Sequence, residues 1–164
     1  MEEKELECSF CSNKVSQDSD FCPECGTLFL ENVKCTNHQD AEANGVCVIC
    51  CEPYCKECGF YVGDRIFLCN EHSEYEIFEG MARIYGASDV PQLEYFKSCL
   101  EQSGFHPLLF SRKANANHLG SADYTLYEAT GSYLGHIINE IKLMVPLQET
   151  IEAEKLLEQI NNQS

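Results

Sequence analysis

An α+β domain preceded by small modules too short to enclose a core of their own is the architecture this sequence predicts. Three observations predict it. Eleven of the 12 cysteines fall within the first 69 of 164 residues. Ten of them stand in pairs, with two residues between each cysteine and the next cysteine or histidine. Beyond residue 76 these pairs stop, and strand-like and helix-like hydrophobic patterns take over.

Composition narrows the field. Hydrophobic residues make up 44% and charged residues 23% of the chain, close to the globular average, so a wholly disordered chain is not expected. Acids outnumber bases 27 to 11, for a formal charge of −16. A general nucleic-acid binder carries a basic stripe, and none is visible. The longest apolar run, Val46 to Cys51, is far too short to span a bilayer. No charged-then-apolar leader opens the sequence, which points to a cytoplasmic location.

The pairs are Cys8 and Cys11, Cys22 and Cys25, Cys35 and His38, Cys47 and Cys50, Cys55 and Cys58, and Cys69 and His72. A tight turn across two intervening residues presents both ligands to one ion. Four soft ligands close one tetrahedral zinc, so these twelve predict three Zn2+ ions. A disulfide framework would more usually join distant cysteines of a secreted chain, and it would not use histidine. Ten ligand thiolates and three dications shift the formal charge from −16 to about −20. Up to residue 76 the chain has 16 acids and 5 bases; beyond it, 11 and 6. The cysteine-rich part is the more acidic one.

Residues 1–30 form the first predicted domain. Cys8-x-x-Cys11 is followed after ten residues by Phe21-Cys22-Pro23-Glu24-Cys25-Gly26. This second knuckle resembles that of the short prokaryotic zinc ribbons. Gly26 is expected to take the positive φ that ends the knuckle. The first knuckle departs from that family, with Ser12 where glycine is usual and Ser9 where proline is common. A unit of this length buries too little apolar surface to fold unaided, so metal supplies the missing folding energy.

Residues 31–76 form the second domain, with eight ligands in the order Cys35, His38, Cys47, Cys50, Cys55, Cys58, Cys69 and His72. Spacing alone allows two consecutive fingers or two crossed sites. The pattern resembles the B-box type zinc finger, especially its prokaryotic version. That resemblance implies crossing: Cys35, His38, Cys55 and Cys58 on one ion, and Cys47, Cys50, Cys69 and His72 on the other. The closing Cys69 and His72 depart from the two histidines of many B-boxes. A RING finger also crosses its sites but places histidine mid-pattern, unlike this chain. Gly63-Asp64 between apolar runs predicts a two-residue hairpin turn. Phe60, Val62, Ile66 and Leu68 are then expected to cover the metal sites. Cys51, beside Cys50, is read as a spare.

Residues 77–164 form the third domain. Ala82–Ala87 reads as a strand. Ser88 or Asp89 caps a helix with Pro91 in its first turn. Val90, Leu93, Phe96 and Leu100 share one face of it, and Gly104 ends it. Phe105–Ser111 and Gly135–Val145 read as further strands. Pro146 is expected to open a last helix, with Leu147, Ile151, Leu156, Leu157 and Ile160 as its apolar positions. The order is β-α-β, a long loop, then β-α. With Leu93, Phe96, Leu100, Glu101 and Gly104, and Lys142, Leu143, Val145 and Pro146 before the last helix, this part resembles a prokaryotic signal-transducing domain. The resemblance implies a ferredoxin-like fold akin to that of nitrogen-regulatory sensors.

The loop 113–134, with Asn115, Asn117, His118, Asp123, Tyr124, Tyr127 and Thr130, is longer than a compact domain usually carries. It reads as a surface excursion, or else as a contact site for a ligand or partner. His106 and His136 have no neighbour at ligand spacing and read as structural. Cys99 reads as a small buried apolar residue. No nucleophile with a matched base and no phosphate-cradling glycine loop is present, and closed sites leave no vertex for substrate, so no enzyme is expected. The expected function is that of a zinc-binding regulatory adaptor that binds a protein partner. The alternatives are a small-molecule sensor acting through residues 77–164 and a nucleic-acid-binding ribbon.

Overall fold

In a computed structural model, the structure describes residues 5–63, 65–111 and 140–162. The chain divides into two compact units. One is Met1–Gly80 with Leu147–Ile151; the other is Met81–Pro146 with Glu152–Ser164.

The first unit is built from short hairpins. β1 (Glu5–Glu7) and β2 (Lys14–Ser16) pair antiparallel, with Leu6 opposite Val15. β3 (Gly45–Val46) pairs with β4 (Pro53–Tyr54), and β5 (Gly59–Val62) with β6 (Ile66–Cys69). Val62 stands opposite Ile66, so Gly63–Arg65 forms a three-residue loop rather than the expected two-residue turn. Gly63 takes φ +57° there, and the Arg65 N–H returns to the Val62 carbonyl at 3.2 Å.

The covering residues are also not those expected. Phe60 and Val62 are exposed, Ile66 is half-buried, and only Leu68 of the four is buried. The centre of this unit is Phe67, which has no exposed surface. Three glycines make room for it. A Cβ at Gly45 or at Gly59 would stand 2.7 Å from the Phe67 ring, and one at Gly26 would stand 2.9 Å from its Cβ. Real Cβ atoms do not come that close, so the packing requires glycine at these positions. Tyr61 meets the Phe67 ring edge-on at 5.1 Å.

The second unit packs helices on a sheet. Its strands run in the order β8 (Met81–Ala87), β10 (Ile141–Pro146), β9 (Leu108–Ser111), while β7 (Ile77–Phe78) lies in the first unit. β10 runs antiparallel to both β8 and β9. β8 and β9 are therefore parallel to each other with β10 between them, and α1 (Val90–Gln102) makes the crossover. Leu143 faces Tyr85 but Met144 faces Arg83, so Ile84 is the extra residue of a β-bulge. The two-residue β7 was not foreseen; two residues carry no readable period.

Asp89 caps α1, its carboxylate accepting from the Gln92 N–H at 3.2 Å, with proline in the first turn. The far end closes as a Schellman motif. Gly104 takes φ +89°, its N–H bonds to the Glu101 carbonyl, and the Phe105 N–H bonds to the Leu100 carbonyl at 3.1 Å. This use of Phe105, followed by Pro107, delays β9 to Leu108. Pro146 does not open the last helix. It is the final residue of β10, paired with Met81. A 3-10 turn, Leu147–Glu149, precedes α2 (Thr150–Asn162), and the Thr150 hydroxyl donates to the Leu147 carbonyl at 2.9 Å.

The core of this unit joins Leu93, Phe96 and Leu100 of α1, Leu143 and Val145 of β10, Ala87 of β8, and Ala153 and Leu157 of α2. Ala153 was not among the expected apolar positions. Val90 was, but it is 47% exposed, because its place at the start of α1 lies off the sheet-facing stripe. Cys99 is half-buried rather than buried. The loop 113–134, the segment 135–139 and His136 lie outside the described residues. Among the described residues, no helix is long and apolar enough to cross a membrane.

Candidate metal centres

Three turns of the first unit repeat one backbone pattern. In each, the first cysteine's N–H donates to the carbonyl five residues on. Its own carbonyl accepts from the N–H four residues on. Cys8 does this with Asn13 and Ser12, Cys22 with Thr27 and Gly26, and Cys47 with Glu52 and Cys51, all at 2.8–2.9 Å. Such a turn closes only if the fifth residue is left-handed. Ser12, Gly26 and Cys51 have φ of 61°, 79° and 59°. Gly26 thus takes the conformation its sequence context requires, and Ser12 takes it without being glycine. Cys51 is exposed and lies outside the ligand sets. It holds the left-handed position of a knuckle rather than offering a sulfur to the metal.

The twelve candidate ligands gather into three sets of four: Cys8, Cys11, Cys22 and Cys25; Cys35, His38, Cys55 and Cys58; Cys47, Cys50, Cys69 and His72. The second and third sets cross along the chain rather than following consecutively. Hairpin β5–β6 explains the crossing. Its register places Gly59, next to Cys58, opposite Cys69, so the two pairs leave opposite sides of one ladder toward different sites.

The geometry tests zinc directly. A tetrahedral ion with Zn–S near 2.3 Å and Zn–N near 2.0–2.1 Å has S···S edges of about 3.8 Å and S···N edges of about 3.6 Å. The Sγ atoms of Cys8 and Cys25 are 3.8 Å apart, and those of Cys11 and Cys22 are 3.6 Å apart. His38 Nδ1 lies 3.3 Å, 3.5 Å and 4.0 Å from the sulfurs of Cys58, Cys55 and Cys35. His72 Nδ1 lies 3.2 Å and 3.5 Å from those of Cys69 and Cys47. These separations are too long for disulfides, whose S–S bond is about 2.05 Å. They match the edges of a tetrahedron of zinc ligands, and all twelve cysteine and histidine donors suit such a metal.

The sulfurs within a set share negative charge unequally. The Cys50 thiol facing Cys47 holds Cys47 down to about 4, against the opposing effect of burial, and backbone N–H groups of Cys50, Cys69 and Ile49 assist. Cys50 is pushed up, first by that same Cys47 contact and then by burial. Burial raises Cys8 and Cys35, but backbone N–H donors outweigh it and bring them to about 7 and about 6. Burial pushes Cys22 up. Neighbouring sulfurs this close cannot all be anionic unless a cation sits among them.

Three residues that sequence reasoning passed over touch ligand sulfurs. Thr27 Oγ1 lies 3.1 Å from Cys25 Sγ, Tyr54 Oη lies 3.8 Å from Cys50 Sγ, and Asn37 Nδ2 donates to Cys58 Sγ at 3.6 Å. Such contacts orient ligands and lower the charge density on thiolate. A signal for two of them was present in the sequence: Asn37 stands within the Cys35 and His38 pair, and Tyr54 directly before Cys55.

The three sets share one scaffold. The Phe67 N–H donates to the Cys25 carbonyl at 3.0 Å, and the Phe67 carbonyl accepts from the Val48 N–H at 3.1 Å. The Val46 N–H donates to the Gly26 carbonyl at 2.8 Å. The Cys22–Cys25 knuckle is thereby bonded to strands next to the other candidate ligands. No protein-family model, curated protein or solved structure matches the chain.

Proposed function

We propose that the protein is a zinc-binding regulatory adaptor, holding three Zn2+ ions in the twelve ligands above and acting by binding a protein partner. The observation that carries this reading is the agreement of ligand separations with a zinc tetrahedron in three sets that leave no donor position open. A catalytic zinc keeps one position for water or substrate. With four protein donors at each site, the metal serves folding, and function falls to the surface it shapes. In this reading residues 8–26 are a zinc ribbon and 35–72 a crossed, B-box-like finger. The split β-α-β of the second unit is the core of a ferredoxin-like domain of the signalling type. The strong negative charge favours partners with basic or mixed surfaces and disfavours nucleic acid. The site of action is cytoplasmic.

The test is affinity capture from native lysate with metal-loaded and chelator-stripped protein side by side. The reading expects discrete protein partners on the loaded form alone. Equal capture by both forms, or strong binding of a random oligonucleotide pool at low salt, would overturn it.

A further inference from the structure

Beyond the metal sets, the first unit contains a concavity of about 810 Å³. Its apolar lining comes from Phe10, Ile66, Ile77 and Phe78, and its acidic lining from Glu24 and Glu79. Phe10 and Phe78 are 47% and 50% exposed, in a unit with little apolar core. Phe10 is also held in place: its ring lies 5.3 Å from that of Tyr61, which packs edge-on against buried Phe67. The two glutamates line the same concavity, and Glu24 Oε2 lies 3.8 Å from where a Cβ on Gly80 would stand. Among the described residues neither carboxylate forms an ion pair. Among the described residues, Arg65 is the single cation of the lining. The surface is thus preformed, aromatic and net acidic, and it borders the two knuckles that carry Cys11 and Cys25.

We infer that this concavity is a docking site for a short protein segment presenting lysine or arginine beside leucine or aromatic side chains. The inference rests on the reading of this unit as a protein-binding module and names its partner class. The two unpaired carboxylates attract the cations of such a segment and repel phosphate and acidic peptides. The exposed rings take its apolar side chains, and aromatic anchors of this kind dominate binding energy at small interfaces.

Fluorescence anisotropy on the full metal-loaded chain tests this with three labelled octapeptides. The first alternates lysine with leucine and phenylalanine, the second replaces lysine by glutamate, and the third replaces the apolar residues by serine. Only the first is expected to bind. The pair Glu24→Gln with Glu79→Gln, and separately Phe10→Ser with Phe78→Ser, should each weaken it by about tenfold or more. Native mass spectrometry of each variant checks that three metal ions remain. Should the phenylalanine pair lose metal, the isosteric glutamine pair carries the test. Unchanged affinity in the glutamine pair, or equal binding of the serine peptide, overturns the inference. If loaded protein still captures partners in the lysate experiment while the groove variants bind as well as wild type, the docking site falls and the adaptor reading stands.

Discussion

The two units of this chain are of similar length but differ in what fills their interiors. In the first, eight of the ten candidate ligand cysteines are buried, and the other buried apolar side chains among the described residues are Phe67, Leu68, Tyr54, Ile49, Leu147 and three valines. In the second, two helices lay Leu93, Phe96, Leu100 and Leu157 on the Leu143 and Val145 of a sheet. Burial is non-directional and grows with area, so it needs long amphipathic elements. Metal bonds are directional and strong, so turns of five residues suffice to aim them. The contrast shows why the first unit can consist of strands two to four residues long. In the proposed reading its geometry is fixed at the ligand sets and transmitted through the bonds around Phe67.

That contrast can be broken most sharply by removing a ligand. A structural zinc contributes apparent folding energy of about 10–16 kcal/mol. Cys69→Ala should therefore release one ion and unfold at least β5–β6, while amide protection in α1 and β10 stays as in wild type. Hydrogen exchange read out by mass spectrometry checks both halves of this expectation. Phe67→Ala comes next, with about 3–5 kcal/mol lost from the first unit through the cavity it leaves. Because Phe67 bonds to both the Cys22–Cys25 knuckle and Val48, the loss should appear as weaker metal retention at more than one set. Chelator competition monitored with a colorimetric dye measures it.

The mirror experiment is Leu143→Ala. It should remove about 2–5 kcal/mol from the second unit and leave the metal count at three. A thermal melt followed by helical circular dichroism reports it. The smallest effect is at the cap of α1. Asp89→Ala should lower the stability of the second unit by about 1 kcal/mol, seen as a shift in the denaturant midpoint. An effect of Asp89→Ala on metal content would mean that the two units are not as separate in energetics as their construction implies.

The ligand sets were legible in the sequence because ligand chemistry tolerates few residue types and the turn fixes their spacing. Crossing was not legible from spacing. It depends on the β5–β6 register, which places Gly59 opposite Cys69. Phe67 escaped notice because Phe60, Tyr61, Val62, Ile66, Phe67 and Leu68 form two continuous apolar runs. Period-2 reasoning cannot say which face is inward when three glycines elsewhere in the chain set the vacancy. In the second unit α1 was readable through Asp89, Pro91 and Gly104, each with a local reason for its place. The start of β9 and the end of β10 were not, because Phe105 serves the helix cap and Pro146 completes a strand edge. Pro146 has no N–H, so it sits at the last paired position without disrupting the ladder.

The central claim is that three metal ions replace a hydrophobic interior in the first unit alone. Native mass spectrometry of the intact protein, followed by hydrogen exchange before and after chelation, tests it most directly. The account predicts three zinc ions per chain, and on stripping, loss of protection throughout residues 5–80 with α1, β8 and β10 still protected. Fewer than three ions at full loading, or a stripped chain that keeps the protection of β5 and β6, would contradict it.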